Sequence, residues 1–176
     1  MQKNWYIIYT KPKYEKKVSA ILEKRKIENF SPLHRREITL FRKRKTLLEP
    51  LFQSYVFAHV EEAEIDKIKG IEGVVNLLYW KGMPAVIKEE EIKIIKEFIN
   101  DYPEIHVEKT KVSETGKARV IDGSIYSISG NLLSIKNSMI RVNLPSIGFS
   151  LVAELASTYS SQTPVTFGEK SLLMQS

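Results

Sequence analysis

The chain has 176 residues, with 27 lysines and arginines against 21 aspartates and glutamates, so its formal net charge at neutral pH is +6. Its hydrophobic content of 43% is enough for a folded core and argues against wholesale disorder. It has no cysteine, which excludes disulfides and thiolate sites. It has neither a membrane-length apolar stretch nor an N-terminal apolar run long enough for a signal peptide. We therefore expect a cytoplasmic protein.

The first hundred residues alternate between strand and helix signals. Aromatic and β-branched runs predict strands, while apolar residues at helical spacing, as in Val18 and Leu22, predict helices. The predicted elements, in order, are a strand over 5–9, a helix from 14, strands over 30–38 and 46–60, a short helix over 61–69, a strand over 74–80, an extended segment over 85–87 and a helix over 89–100. This order predicts an α+β domain over residues 1–101.

Basic residues are concentrated near the N-terminus. Residues 1–45 hold 14 basic and four acidic side chains, and six of the basic ones fall within 35–45, at the predicted turn between two strands. Such a cluster attracts phosphate backbones without reading sequence. A solvated face that aids solubility is the alternative, but the clustering favours a polyanion.

An aromatic strand follows the basic run directly. On a strand Tyr55 and Phe57 share one face, while Val56 and Ala58 share the other. Tyr9 extends the aromatic set from the first predicted strand. The pattern leaves two interpretations open: an exposed patch for a protein partner, or ordinary core aromatics.

Beyond residue 101 the composition changes. Residues 102–115 are polar and are predicted to be a linker, and 116–157 contain short β-type runs separated by glycine and proline, which predict a small all-β barrel. Residues 158–176 are predicted to be a flexible tail. The many valine, isoleucine and serine residues disfavour helix, so we predict a stable barrel without a helical switch.

No catalytic motif is evident. The three histidines are far apart in sequence, and glutamate clusters at predicted helix starts are explained by the helix dipole. There is no glycine-rich nucleotide loop. We therefore expect no enzyme activity, no metal and no cofactor.

Several motifs in order resemble the NusG family of transcription elongation factors. They are residues 5–10 with 13–18, residues 49–57, residues 70–74, and residues 116–123 with Gly130. The resemblance implies an N-terminal NGN domain, an antiparallel sheet flanked by helices, followed by a small KOW (SH3-like) barrel. Within the family, the sequence looks more like the specialised RfaH-like and UpxY-type paralogs. It shares with them the basic run, and it has Gln53 and Ser54 where the family commonly has proline and glycine.

The resemblance also implies partners. The NGN domain would bind the clamp helices of the RNA polymerase largest subunit through Tyr9, Phe52, Tyr55 and Phe57. The residues implied to contact upstream or non-template DNA are Lys11, Lys13, Lys16, Lys17, Lys24, Arg42, Lys43, Arg44 and Lys45. The barrel would bind a ribosomal protein or termination factor, and we expect a monomer with no membrane partner. Ile21 and Glu72 stand where base-reading paralogs have polar or basic groups, so base reading is not carried over.

The implied function is suppression of pausing and termination, on long operons such as polysaccharide biosynthesis loci. The alternative is a general RNA- or DNA-binding, ribosome-associated protein in which the barrel and the basic run both hold nucleic acid. A nuclease is disfavoured because the sequence has no cluster of metal ligands.

Overall fold

The computed structural model describes residues 2–102, 104–109, 124–128, 131–136 and 139–154. The glycine-containing run at 116–123, the residue Gly130 and the predicted tail lie outside the described residues. Within the described ranges, no helix is long and apolar enough to cross a membrane.

An antiparallel sheet forms the centre of the N-terminal domain. Its strands are β1 (Asn4–Thr10), β2 (Glu28–Phe30), β5 (Tyr55–Val60), β6 (Val74–Leu77) and β9 (Val86–Ile87). The order is β2-β5-β1-β6, with β9 also paired to β1. Side chains of β1 alternate between the two faces, and Trp5, Tyr6, Ile7 and Ile8 are all buried because both faces are covered.

Two helices cover one face of this sheet. They are α1 (Glu15–Lys24) and α2 (Ile65–Lys69), the latter preceded by a single 3₁₀ turn (Glu62–Glu64). Val18 and Leu22, one helical turn apart, pack with Ile65 and Ile68 against the β1 side chains Tyr6 and Ile8.

A third helix, α3 (Glu89–Asp101), covers the other face. Ile92, Ile95 and Phe98 pack there against Ile7 and Phe57. The indole N–H of Trp5 donates a hydrogen bond to Glu89 at the start of the helix. These helices and the antiparallel sheet confirm the predicted α+β fold of the N-terminal domain.

Two hairpins extend from the sheet. The larger joins β3 (Leu33–Leu40) to β4 (Lys43–Pro50), and the smaller joins β7 (Tyr79–Trp80) to β8 (Met83–Pro84). The interpretation of residues 42–45 as a loop was wrong. Cross-strand pairing continues to Leu40 and Lys43, which leaves only Phe41 and Arg42 in the turn, both with positive φ.

A second antiparallel sheet follows in the chain. It comprises β10 (Ile105–Lys109), β11 (Ser124–Ile128), β12 (Asn131–Lys136), β13 (Met139–Leu144) and β14 (Phe149–Glu154), in the order β10-β14-β13-β12-β11. Strand β10 lies within the segment predicted to be a linker. Closure of these strands into a barrel stays a prediction.

The second sheet packs on the α3 side of the first. Ile140, Val142 and Leu144 of β13, with Leu151 and Ala153 of β14, join the cluster that contains Phe57 and Phe98. The two sheets therefore share one hydrophobic core, with α3 as part of it.

Candidate protein-binding patch and nucleic-acid interface

Three aromatic side chains meet at one end of the β1–β5 pair, and we call Tyr9, Phe52 and Tyr55 the aromatic patch. Tyr9 and Tyr55 are directly opposite each other in the register, with ring centroids 6.0 Å apart. Tyr9 is 41% exposed, Tyr55 is half-buried and Phe52 is 2% exposed. Burial raises the pKa of the Tyr55 phenol, with Tyr9 as a smaller cause. The Tyr55 phenol is therefore uncharged at neutral pH.

The second sheet covers part of the aromatic patch. The Phe149 ring of β14 lies 5.7 Å from that of Phe52 and 6.0 Å from that of Tyr55, with edge-to-face geometry at both. Phe57 lies deeper, fully buried, with its ring 5.7 Å from that of Phe52. Of the four residues predicted to bind protein, Tyr9 and Tyr55 reach the surface, while Phe52 and Phe57 are buried beside them.

A tight turn holds Phe52 and Tyr55 in place. Ser54 adopts φ 63, and its amide donates a 2.7 Å hydrogen bond to Glu15 Oε1, a buried carboxylate at the start of α1. The carbonyl of Ser54 accepts from the Thr10 amide at 2.8 Å. Serine at this position therefore takes the left-handed conformation that glycine adopts more easily.

The larger hairpin, residues 33–50, carries positive charge around its tip. We call it the basic hairpin. Arg42, Lys43, Arg44 and Lys45 are all exposed. Lys43 and Lys45 share one face of the ribbon because strand side chains alternate, and Arg44 lies on the other. Both faces of the ribbon therefore present cations near its tip.

The lysines of the first helix region are exposed but are not all free. Lys16 Nζ donates to the Leu48 carbonyl at 2.6 Å, which ties α1 to the basic hairpin. Lys17 Nζ lies 2.7 Å from Glu72 Oε1, and its hydrogen bond lowers the pKa of Glu72. Lys11, Lys13 and Lys24 are exposed as well. Glu72 thus offsets one of the charges predicted to contact DNA.

A buried carboxylate lies where α3 meets the second sheet. Glu91 is 1% exposed, and its Oε1 accepts a 3.2 Å hydrogen bond from the Ser146 amide. Its Oε2 has no hydrogen-bond partner among the residues that the structure describes. Burial raises the pKa of Glu91, while Ser146 and the nearby charge of Lys88 oppose the shift. The ionised form is therefore disfavoured in this interface.

Substituting Glu91→Gln should stabilise the packed state near neutral pH, by about 1 kcal/mol. Because the pKa is raised on folding, wild-type stability attributable to this group is greatest below its ordinary pKa and is lost as pH rises through the raised pKa. Thermal midpoints measured from pH 5 to 8 should therefore show a gap between variant and wild type that widens with pH. The exposed neighbour supplies the control, Glu90→Gln. A gap independent of pH, or one equal for both variants, would contradict this account of Glu91.

Phe149 and Glu91 were not found by sequence reasoning. Neither belongs to a motif, and their neighbours lie far away in the chain. No metal-holding group of three or more histidine, cysteine, aspartate or glutamate residues occurs in the part of the chain that the structure describes.

Comparison with known proteins identifies the N-terminal domain. The family model described as "NusG: Transcription termination factor nusG" matches residues 3–96, more than half of the chain. A search of curated proteins returns no match. A solved structure described as "Domain interaction in Thermotoga maritima NusG" is similar at 20% identity and a TM-score of 0.46, covering 88% of this chain and 94% of that chain.

The family match spans both the aromatic patch and the basic hairpin, and it confirms the resemblance to the NusG family over residues 3–96. The chain therefore belongs to the NusG family of transcription factors, non-enzymatic proteins that bind RNA polymerase and act on transcript elongation and termination.

Proposed function

We propose that this protein is an elongation and antitermination factor of the specialised type. It docks through the aromatic patch on the clamp helices of the RNA polymerase largest subunit and holds nearby DNA with the basic hairpin. It thereby suppresses pausing and termination on long operons such as polysaccharide biosynthesis loci. The observation that carries the proposal is an uncharged aromatic patch and an exposed cationic ribbon on one small domain.

The aromatic patch has the chemistry of a receptor for an apolar helical tip. Tyr9 is exposed and Tyr55 is half-buried. Aromatic residues are enriched in the centres of protein interfaces, where charges are depleted. Phe149 lies over Phe52 and beside Tyr55. A partner that reaches Phe52 must therefore displace β14 from this edge.

The basic hairpin supports the DNA part of the proposal. Its exposed cations occur on both faces of a two-stranded ribbon, and the only acidic side chains in the hairpin are Glu37 and Glu49. Glu49 lies 3.2 Å from Arg36 and so faces a cation at the base of the hairpin rather than the tip. Phosphates that approach the tip therefore meet an unopposed positive field.

Replacing Lys43, Arg44 and Lys45 together by glutamine should flatten the salt dependence of duplex DNA binding. The slope of log K against log salt concentration is negative, and each lost phosphate contact makes it less negative by about 0.9. Loss of three contacts should therefore reduce the steepness of the slope by about 2.7. The slope is measured by fluorescence anisotropy on a labelled duplex. The matched control replaces three exposed lysines outside the hairpin, Lys3, Lys67 and Lys93. Equal slopes for the two triple variants would argue against the basic hairpin as the DNA contact.

The same variant separates the proposal from general nucleic-acid binding. A polymerase-bound factor keeps most of its affinity for purified polymerase when the three charges are removed, because the aromatic patch is intact. A general nucleic-acid-binding protein associates with polymerase only through nucleic acid and would lose that association. A ribosomal protein or termination factor as partner of the second sheet, a monomeric state and a cytoplasmic location stay predictions.

A further inference from the structure

The tip of the basic hairpin carries an apolar side chain that folding does not explain. Phe41 is 98% exposed, and Leu40 beside it is 48% exposed. Phe41 and Arg42 adopt φ values of 50 and 63 in a two-residue turn. Such turns favour asparagine and glycine, because the left-handed conformation is costly for residues with a Cβ. Neither burial nor backbone preference accounts for phenylalanine here.

The surroundings of Phe41 are cationic. Arg42, Lys43, Arg44 and Lys45 follow it directly, and the segment 38–45 contains no acidic residue. The nearest acidic position is Glu37, paired with Thr46, four residues back from the tip. An exposed ring within a cluster of cations is complementary to a ligand that joins flat apolar surfaces to phosphates, which is the chemistry of nucleic acid.

We propose that Phe41 stacks on an unpaired base at a junction between duplex and single-stranded DNA, while Arg42, Lys43 and Arg44 contact the flanking phosphates. This inference rests on the proposed function, which places the hairpin beside DNA held open by polymerase. Bases within a duplex have both faces covered by their neighbours, so a stacking side chain finds a free face only where pairing ends. A two-residue turn puts the ring at the extreme end of the ribbon, where it meets such a base first.

Recognition of this kind is positional rather than sequence-specific. Every base offers a π-face, so an aromatic contact tolerates any sequence. The hairpin then locates the edge of an open region, and the cations hold the duplex phosphates next to it. Phe41 would therefore locate the junction, which the cations of the hairpin alone cannot do.

The test compares binding of the full chain to three labelled DNA probes. They are a blunt duplex, the same duplex ending in an unpaired arm, and that fork with 2-aminopurine as its first unpaired base. Wild type should prefer the fork and should change the 2-aminopurine emission. Phe41→Ala should lose fork affinity by about 5- to 150-fold, the range measured for removal of one stacked base contact. Its affinity for the blunt duplex should be unchanged.

Three further variants keep the result interpretable. Phe41→Trp should retain the fork preference because it retains a ring. Phe41→Asn should lose the preference without lowering the thermal midpoint, because asparagine tolerates positive φ. Phe41→Leu should behave like Phe41→Ala, and full retention of the preference by this variant would overturn stacking as the mechanism.

Other outcomes also overturn the inference. They are equal fork affinity in wild type and Phe41→Ala, tighter binding to an RNA fork than to the DNA fork, or Phe41-dependent binding to anionic phospholipid vesicles that exceeds fork binding. Polymerase affinity without nucleic acid is measured in parallel. If that affinity is absent while the fork preference requires Phe41, the proposed function fails and the stacking contact stands. If polymerase affinity is present and Phe41 has no effect on fork binding, the proposed function stands and the stacking contact fails.

Discussion

Replacing Tyr9 and Tyr55 together by alanine is expected to weaken binding to purified RNA polymerase by at least about 100-fold, while the domain stays folded. Aromatic side chains at the centre of an interface commonly contribute about 2 kcal/mol or more each when truncated. Tyr9 is 41% exposed and Tyr55 is half-buried, so neither truncation opens a large cavity in the core. Affinity is measured by titration of labelled polymerase without nucleic acid, and folding by circular dichroism.

Two controls accompany the tyrosine pair. Tyr9→Phe with Tyr55→Phe keeps both rings and should keep most of the affinity. Phe41→Ala removes an exposed aromatic side chain outside the aromatic patch and should have no effect when nucleic acid is absent. Unchanged polymerase affinity in the double alanine variant would place the polymerase contact elsewhere. Phe57 is unsuitable for this test because it is fully buried, so its truncation would destabilise the core.

Gly73→Ala is expected to destabilise the N-terminal domain by about 3 kcal/mol, which lowers the thermal midpoint by roughly 6 to 12 °C. Gly73 has φ 92, and a Cβ there would lie 2.3 Å from Tyr14 Cδ1 and 3.0 Å from Tyr14 Cβ. Tyr14, the residue before α1, is partly buried against the core, so it has little room to move. The Gly73 carbonyl also accepts a 2.8 Å hydrogen bond from the Lys11 amide, which fixes the backbone at this point.

A second glycine separates the two causes of this loss. Gly82 has φ 81, yet a Cβ built there meets nothing within 4 Å. Gly82→Ala therefore reports the cost of positive φ alone, about 1 kcal/mol. Equal losses in the two variants would show that Tyr14 moves aside freely and that steric crowding at Gly73 contributes nothing.

Local sequence patterns predicted most elements of the N-terminal domain, although the strand predicted over 46–60 is two strands, β4 and β5, separated by a turn at 51–54. The helix from Glu89 has its apolar side chains on one face and acidic residues in its first turn, and it begins at the predicted residue. The strand Tyr55–Val60 was predicted from its run of β-branched and aromatic residues. Where the hydrophobic periodicity and the residues at the ends of a segment indicate the same secondary structure, that structure also forms in the folded protein.

The basic hairpin shows why other features were not predicted. Its turn uses phenylalanine and arginine where asparagine and glycine are the usual signal, so the four cations were assigned to a loop. The strand Ile105–Lys109 was missed because it is short and has only two apolar residues, Ile105 and Val107, and it pairs with the distant strand β14. The first miss has its cause in unusual turn residues, and the second in a partner strand that lies far away in the chain.

The aromatic patch was predicted in part from local pattern and depends in part on distant contacts. Alternation on β5 correctly put Tyr55 and Phe57 on one face, but the pattern left open whether that face is core or surface. The structure shows that it is both, since Phe57 is buried and Tyr55 lies at the edge. The contact of Phe149 with this edge joins residues nearly a hundred positions apart, which sequence reasoning on single segments cannot supply.

The most direct test of the central claim is the affinity of the full chain for three targets measured side by side. They are purified bacterial RNA polymerase, the same polymerase assembled on a scaffold with an exposed non-template strand, and that scaffold alone. Simultaneous contact through the aromatic patch and the basic hairpin predicts binding to polymerase alone, tighter binding to the assembled complex, and the weakest binding to the free scaffold. Equal affinity for free scaffold and assembled complex, with none for polymerase alone, would contradict the account.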